Sequence, residues 1–117
     1  MEISKEEELA ALFRALSDPT RLRIYQFLRC CAADGVEVGE GGECRPAGSL
    51  SVGEVCCRLD CSMSNVSHHL KELRTAGLIR TEKRGRWIFC SIHPEALERI
   101  GEWASGPVDQ EAGCGSE

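Results

Sequence analysis

Residues 51–90, SVGEVCCRLDCSMSNVSHHLKELRTAGLIRTEKRGRWIFC, constrain this chain more than any other stretch. Ser51 and Glu54 form an S-x-x-E capping box, which opens a helix. Val52, Val55 and Leu59 share one face of that helix, with Cys56 beside them. Asp60-Cys61-Ser62 makes a turn, and Ser62 caps a second helix over Met63–Ala76. Its expected buried face is Met63, Val66, Leu70 and Leu73. Gly77 ends it as a residue in the left-handed conformation. Leu78–Lys83 and Arg86–Ile92 then alternate apolar and polar residues around Arg84-Gly85, the pattern of a β-hairpin. Helix, tight turn, helix and hairpin together predict a winged helix-turn-helix, a DNA-reading unit.

The remaining elements frame this unit. Residues 4–16 predict a helix capped by Ser4, with Glu6, Glu7 and Glu8 at its positive end. Leu9, Leu12, Phe13 and Leu16 form its apolar stripe, suited to core packing, to a dimer interface, or to both. Asp18-Pro19 starts a second helix, Pro19–Cys31, in which Leu22, Ile24, Tyr25, Phe27 and Leu28 are expected to be buried. Residues 34–50 are glycine-rich and contain Cys44; a loop is expected, with a short extended piece around Val36–Val38. Pro94 opens a last helix, Pro94–Ala104, striped by Leu97, Ile100 and Trp103 or Ala104. The predicted fold is therefore mainly α with a small β-hairpin wing: four helices, two strands, one helix. One domain is expected over residues 1–104, with an inserted cysteine-containing loop, 32–50, and a polar tail, 105–117.

The net charge of −5 at first argues against DNA, but its distribution reverses that. Residues 62–90 carry six basic and two acidic groups, a net of +4, whereas residues 91–117 carry one and six, a net of −5. The positive charge is concentrated on the predicted second helix of the motif and the hairpin. Ser64, Asn65, Ser67 and His68 occupy the helix turns that reach base edges, and Asn suits adenine. Lys71 and Arg74 are placed for phosphate. Lys83, Arg84 and Arg86 form the wing, for backbone or minor groove. His69 is expected to hydrogen-bond inside the domain; a metal site of His68 and His69 is the weaker alternative.

Eight cysteines in 117 residues need a separate explanation. The N-terminus MEISKEEELAALF has acids where a secretion signal has a basic region, and no apolar run approaches the roughly 20 residues of a membrane span. A cytoplasmic location with reduced thiols is expected. Two pairs are adjacent, Cys30-Cys31 and Cys56-Cys57, and Cys44 lies in the loop between them. Neighbouring cysteines rarely bridge each other but can offer thiolates to one thiophilic ion. Cys30 or Cys31, Cys44, and Cys56 or Cys57 would make a three-sulfur site. A buried cysteine can equally be a small hydrophobe. Cys61 is a possible further ligand, Cys90 is read as packing, and Cys114 lies in the tail.

The segments ALSDPTRLRIYQFL, SVGEVCCRL and SMSNVSHHLKELRTAGLIRTEKRGRWIFCSI closely resemble the ArsR/SmtB family of metal-responsive winged-helix repressors. The likeness covers about residues 5–104. It implies a homodimer paired through the first and last helices, bound to palindromic double-stranded operator DNA and released by metal. The sequence departs from the family's known sites. The last helix, PEALERIGEWA, lacks the histidine of the family's interhelical zinc site. Against the arsenic sensors' C-x-C-x-x-C, Cys56 matches the last cysteine, but Ser51 and Gly53 stand at the other two positions.

These readings converge on a DNA-binding repressor released by a thiophilic metal(loid). Arsenite or antimonite is the first expectation as inducer; cadmium, lead and mercury are alternatives, and no organic cofactor is expected. A thiol redox or persulfide sensor on the same fold is a rival. A thiol oxidoreductase is a weaker one, because C-x-x-C is absent and no base pairs with a nucleophile. Metal storage fits poorly with an ordered DNA-binding motif.

Overall fold

A computed structural model describes residues 4–34, 46 and 48–106. The elements run α1 (Lys5–Leu16), α2 (Pro19–Asp34), β1 (Leu50–Ser51), α3 (Val52–Leu59), α4 (Met63–Thr75), β2 (Ile79–Arg84), β3 (Trp87–Ile92) and α5 (Pro94–Ser105). This is the mainly helical winged helix-turn-helix expected from the sequence, with one strand more. Cys44 and the extended piece expected near Val36–Val38 lie outside the described residues, as does Cys114.

Local chemistry sets most boundaries. Ser4 and Ser51 each make a reciprocal capping box, with Glu7 and with Glu54. The Ser62 hydroxyl accepts from the Asn65 N–H at 3.2 Å and starts α4. Gly77, at φ 87°, closes α4 as a Schellman turn: its N–H donates to Arg74 and that of Leu78 donates to Leu73. Helix α2 runs three residues beyond the expected end at Cys31, through Ala32, Ala33 and Asp34. Two alanines, the best helix formers, have no reason to stop it.

The sheet has the order β1-β3-β2, antiparallel throughout. Arg84 pairs with Trp87, so the turn is Gly85-Arg86 rather than Arg84-Gly85. Gly85 supplies the positive φ, 62°, that a two-residue hairpin needs. The added strand pairs Leu50 with Cys90 and Ser51 with Phe89. Ser51 is thus the last residue of a strand and the cap of a helix.

The core joins α1, α2, α3, α4 and the sheet. Ile24, Leu28, Val55, Val66, Leu73, Leu78 and Cys90 are fully buried at its centre. Each large aliphatic there contributes roughly 1.5–3 kcal/mol by leaving water. Two expectations fail. Met63 is 57% exposed, because it sits in the first turn of α4, ahead of the core. Leu22 is 42% exposed on the outer side of α2, although Ile24, Tyr25 and Leu28 are buried. On α5 the buried residue is Ala96; Leu97 and Ile100 are half-buried, and Trp103 is 63% exposed. The Trp103 ring meets Phe13 of α1 edge-on, centroids 5.2 Å apart.

Candidate nucleic-acid interface and thiol positions

Burying Val66, Leu70 and Leu73 turns the opposite face of α4 outward. Ser64, Asn65, Ser67, His68, Lys71 and Arg74 are all exposed on it. The first four lie near the N-terminal end and the two cations follow toward the C-terminal end, so neutral donors and acceptors precede positive charge along one face. On the hairpin, Lys83 and Arg86 are exposed. Arg84 is held by its neighbour: its Nε donates to Glu82 Oε2 at 2.6 Å. The pair was legible in principle, since residues two apart on a strand share a face.

The orientation of α4 is braced from behind by the D-P-T-R segment. Asp18 Oδ2 accepts from the Arg21 N–H at 3.0 Å, capping α2. That hydrogen bond is the main reason the Asp18 carboxyl titrates below its usual range. The Arg21 Nε donates to the Ala15 carbonyl at 2.7 Å, and its Nη1 lies 3.4 Å from His69 Nδ1. A guanidinium has only donors, so Nδ1 accepts and the proton of a neutral His69 sits on Nε2. One arginine therefore ties the end of α1, the start of α2 and the middle of α4. His69 makes the internal contact expected of it, while His68 on the next position faces outward.

Helical neighbours point about 100° apart. Accordingly Cys31 is buried and Cys30 exposed, while Cys56 is partly buried and Cys57 exposed. Cys57 lies on a shallow surface with Ser51, Gly53, Glu54, Arg58 and Trp87. Among the described residues, no group of three or more His, Cys, Asp or Glu side chains is assembled to hold a metal ion. Cys90 is fully buried, and burial pushes its thiol up to about 12. Burial, then the nearby Cys57 and Cys61, also push the Cys56 thiol up. One contact has no signature in the residue pattern: Cys56 Sγ lies 3.4 Å from Met63 Sδ.

Comparison with known proteins agrees with this geometry. A helix-turn-helix domain model matches residues 16–82, from the end of α1 to the middle of the hairpin. The chain is 33% identical over 106 residues to the arsenical resistance operon repressor of Escherichia coli K12, covering 91% of this chain and 74% of that protein. It is 37% identical over 99 residues to the HTH-type transcriptional regulator CmtR of Mycobacterium tuberculosis H37Rv, covering 84% and 70%. The crystal structure of an ArsR family transcriptional regulator superposes with a TM-score of 0.64 at 27% identity, covering 90% of each chain. No described helix is long and apolar enough to cross a membrane. By its fold, its domain match and its relatives, the chain belongs to the ArsR/SmtB family and is a winged helix-turn-helix transcriptional repressor.

Proposed function

We propose that this repressor binds double-stranded operator DNA as a homodimer in the cytoplasm, and leaves it when cysteine thiolates capture trivalent arsenic or antimony. The observation that carries the DNA half is the single outward face of α4, Ser64 to Arg74, continued by Lys83, Arg84 and Arg86 on the wing. Asn65 and the serines read base edges; the cations hold phosphate. Two such faces, spaced one DNA turn of roughly 34 Å apart, read a palindrome. The exposed Phe13–Trp103 pair, where α1 meets α5, supplies apolar surface for pairing two copies.

The sensing site in this proposal uses Cys30 or Cys31 at the end of α2, Cys44, and Cys56 or Cys57 on α3. Three thiolates match the pyramidal demand of trivalent arsenic, and thiolate is preferred by soft ions generally. Tying α2 to α3 moves the scaffold on which α4 rests. The 33% identity to an arsenical resistance repressor supports arsenic as the first inducer to test.

The test is operator release, followed by fluorescence anisotropy on the protein's own promoter, with arsenite, antimonite, cadmium, lead and mercury in turn. Arsenite or antimonite is expected to release DNA at the lowest concentration. Changing Cys30/Cys31, Cys44 or Cys56/Cys57 to Ser is expected to abolish release without weakening operator binding. Unaltered release in all three variants refutes the site; release by metal-free oxidation alone refutes the inducer class. Asn65→Ala removes one base contact from each half-site, so it is expected to weaken the specific operator by about 2–6 kcal/mol and leave non-specific DNA unchanged.

A further inference from the structure

Met63 breaks the pattern of its helix, exposing a long apolar side chain at the entrance to α4. Its sulfur does not point idly into solvent: Sδ lies 3.4 Å from Cys56 Sγ, across the turn that joins α3 to α4. The turn itself folds a third sulfur toward them. Asp60 adopts the left-handed conformation, φ 56° and ψ 44°, and the Cys61 N–H comes back to the Cys56 carbonyl at 3.4 Å. The Cys61 thiol donates to the Leu59 carbonyl at 3.6 Å and is half-buried.

We infer that Cys56, Cys61 and Met63 form a trigonal sulfur site for a soft monovalent cation, Cu(I), within the helix-turn-helix turn. Two sulfurs sharing one ion at bond lengths of about 2.3 Å lie roughly 3.8–4.0 Å apart, so Cys56 and Met63 need only separate by a few tenths of an ångström. Mixed thiolate and thioether donors select Cu(I). Trivalent arsenic is a poorer fit, because a thioether cannot supply the third negative sulfur that neutralises it. On binding, Cu(I) displaces one proton from each thiol to solvent. The site goes from two neutral thiols and a thioether to a complex of charge −1. That negative charge sits at the N-terminal end of α4, where the helix dipole favours it. It is also the end of α4 that carries Ser64 and Asn65, so it repels phosphate there. None of Cys30, Cys31 and Cys44 takes part; Cys56 is the one ligand that both readings can use, so Met63→Leu is the change that separates this site from the arsenic reading.

The test uses the full chain, reduced and anaerobic, with Cys30, Cys44, Cys57 and Cys114 changed to Ser so that surplus thiols do not bind the ion. Cu(I) is titrated against a chromophoric Cu(I) chelator. One ion per chain is expected, and Met63→Leu is expected to weaken it at least tenfold with the circular dichroism unchanged. Cys56→Ser and Cys61→Ser are each expected to abolish binding. The chain holds two methionines, Met1 and Met63. Selenomethionine protein is therefore expected to show selenium in the copper X-ray absorption shell, and Met63→Leu to lose it. Arsenite-driven release by the wild-type chain is expected to be unmoved by Met63→Leu. Cu(I) affinity within twofold of the parent in Met63→Leu, or no selenium neighbour, overturns the proposal.

Discussion

The wing offers a quantitative test of how this protein holds DNA. Lys83 is exposed near the hairpin tip, whereas Arg84 is bound to Glu82 at 2.6 Å. Adjacent cations thus begin from different states. Each phosphate neutralised contributes about 0.9 to the slope of log K against log salt. In a symmetric dimer, Lys83→Ala removes two such contacts and flattens the slope by about 1.8. The same relation gives roughly a 60-fold loss of affinity near 0.1 M salt, shrinking to roughly tenfold near 0.3 M. Arg84 must give up a carboxylate to take a phosphate, so Arg84→Ala is expected to cost less than Lys83→Ala. Glu82→Gln releases Arg84 and removes a negative charge from each wing; affinity is expected to rise and the slope to steepen. The assay is anisotropy with a labelled operator across about 0.05–0.3 M salt, run in parallel with non-specific DNA. A slope unchanged by Lys83→Ala, or Arg84→Ala costing more than Lys83→Ala, refutes this account of the wing.

Three further outcomes follow from named contacts. Cys90 keeps its proton to about 12 when folded, whereas an ordinary thiol loses it near 9, so between these values only the unfolded chain deprotonates and stability falls as pH rises. Urea melts should show the wild-type chain losing about 1 kcal/mol more than Cys90→Ala between pH 8 and 10, and parallel pH dependences would refute this. Gly77→Ala meets no atom within 4 Å, so only its φ of 87° is at stake; a loss of about 1–2 kcal/mol in urea unfolding is expected, with operator specificity intact. Trp103→Glu places a charge beside Phe13; sedimentation should show dimer dissociation at least about tenfold tighter in the parent than in the variant.

What could be read in advance was chemistry that acts over three or four residues. The caps at Ser51 and Ser62, the left-handed Gly77 and the hairpin alternation each carry their cause beside them in the chain. Strand β1 does not: two residues have no period, and Leu50 and Ser51 become a strand only because Phe89 and Cys90 arrive alongside. Periodicity also cannot tell where a stripe leaves the core, which is why Met63 and Leu22 were expected inside and lie outside. The basic face of α4 was visible as soon as its apolar face was assigned. The Cys56–Met63 contact was not, because it spans a turn whose shape depends on Asp60 adopting a left-handed conformation.

Ser51 has a mechanical consequence. Its backbone is registered against Phe89 of the wing, and its hydroxyl holds the first turn of α3. No linker separates these two tasks. The wing and the helix-turn-helix therefore share one joint, and torque applied to the hairpin by bent or rigid DNA reaches the entrance of α3 without slack. Stiffness of the operator becomes something the cysteine-bearing helix can feel.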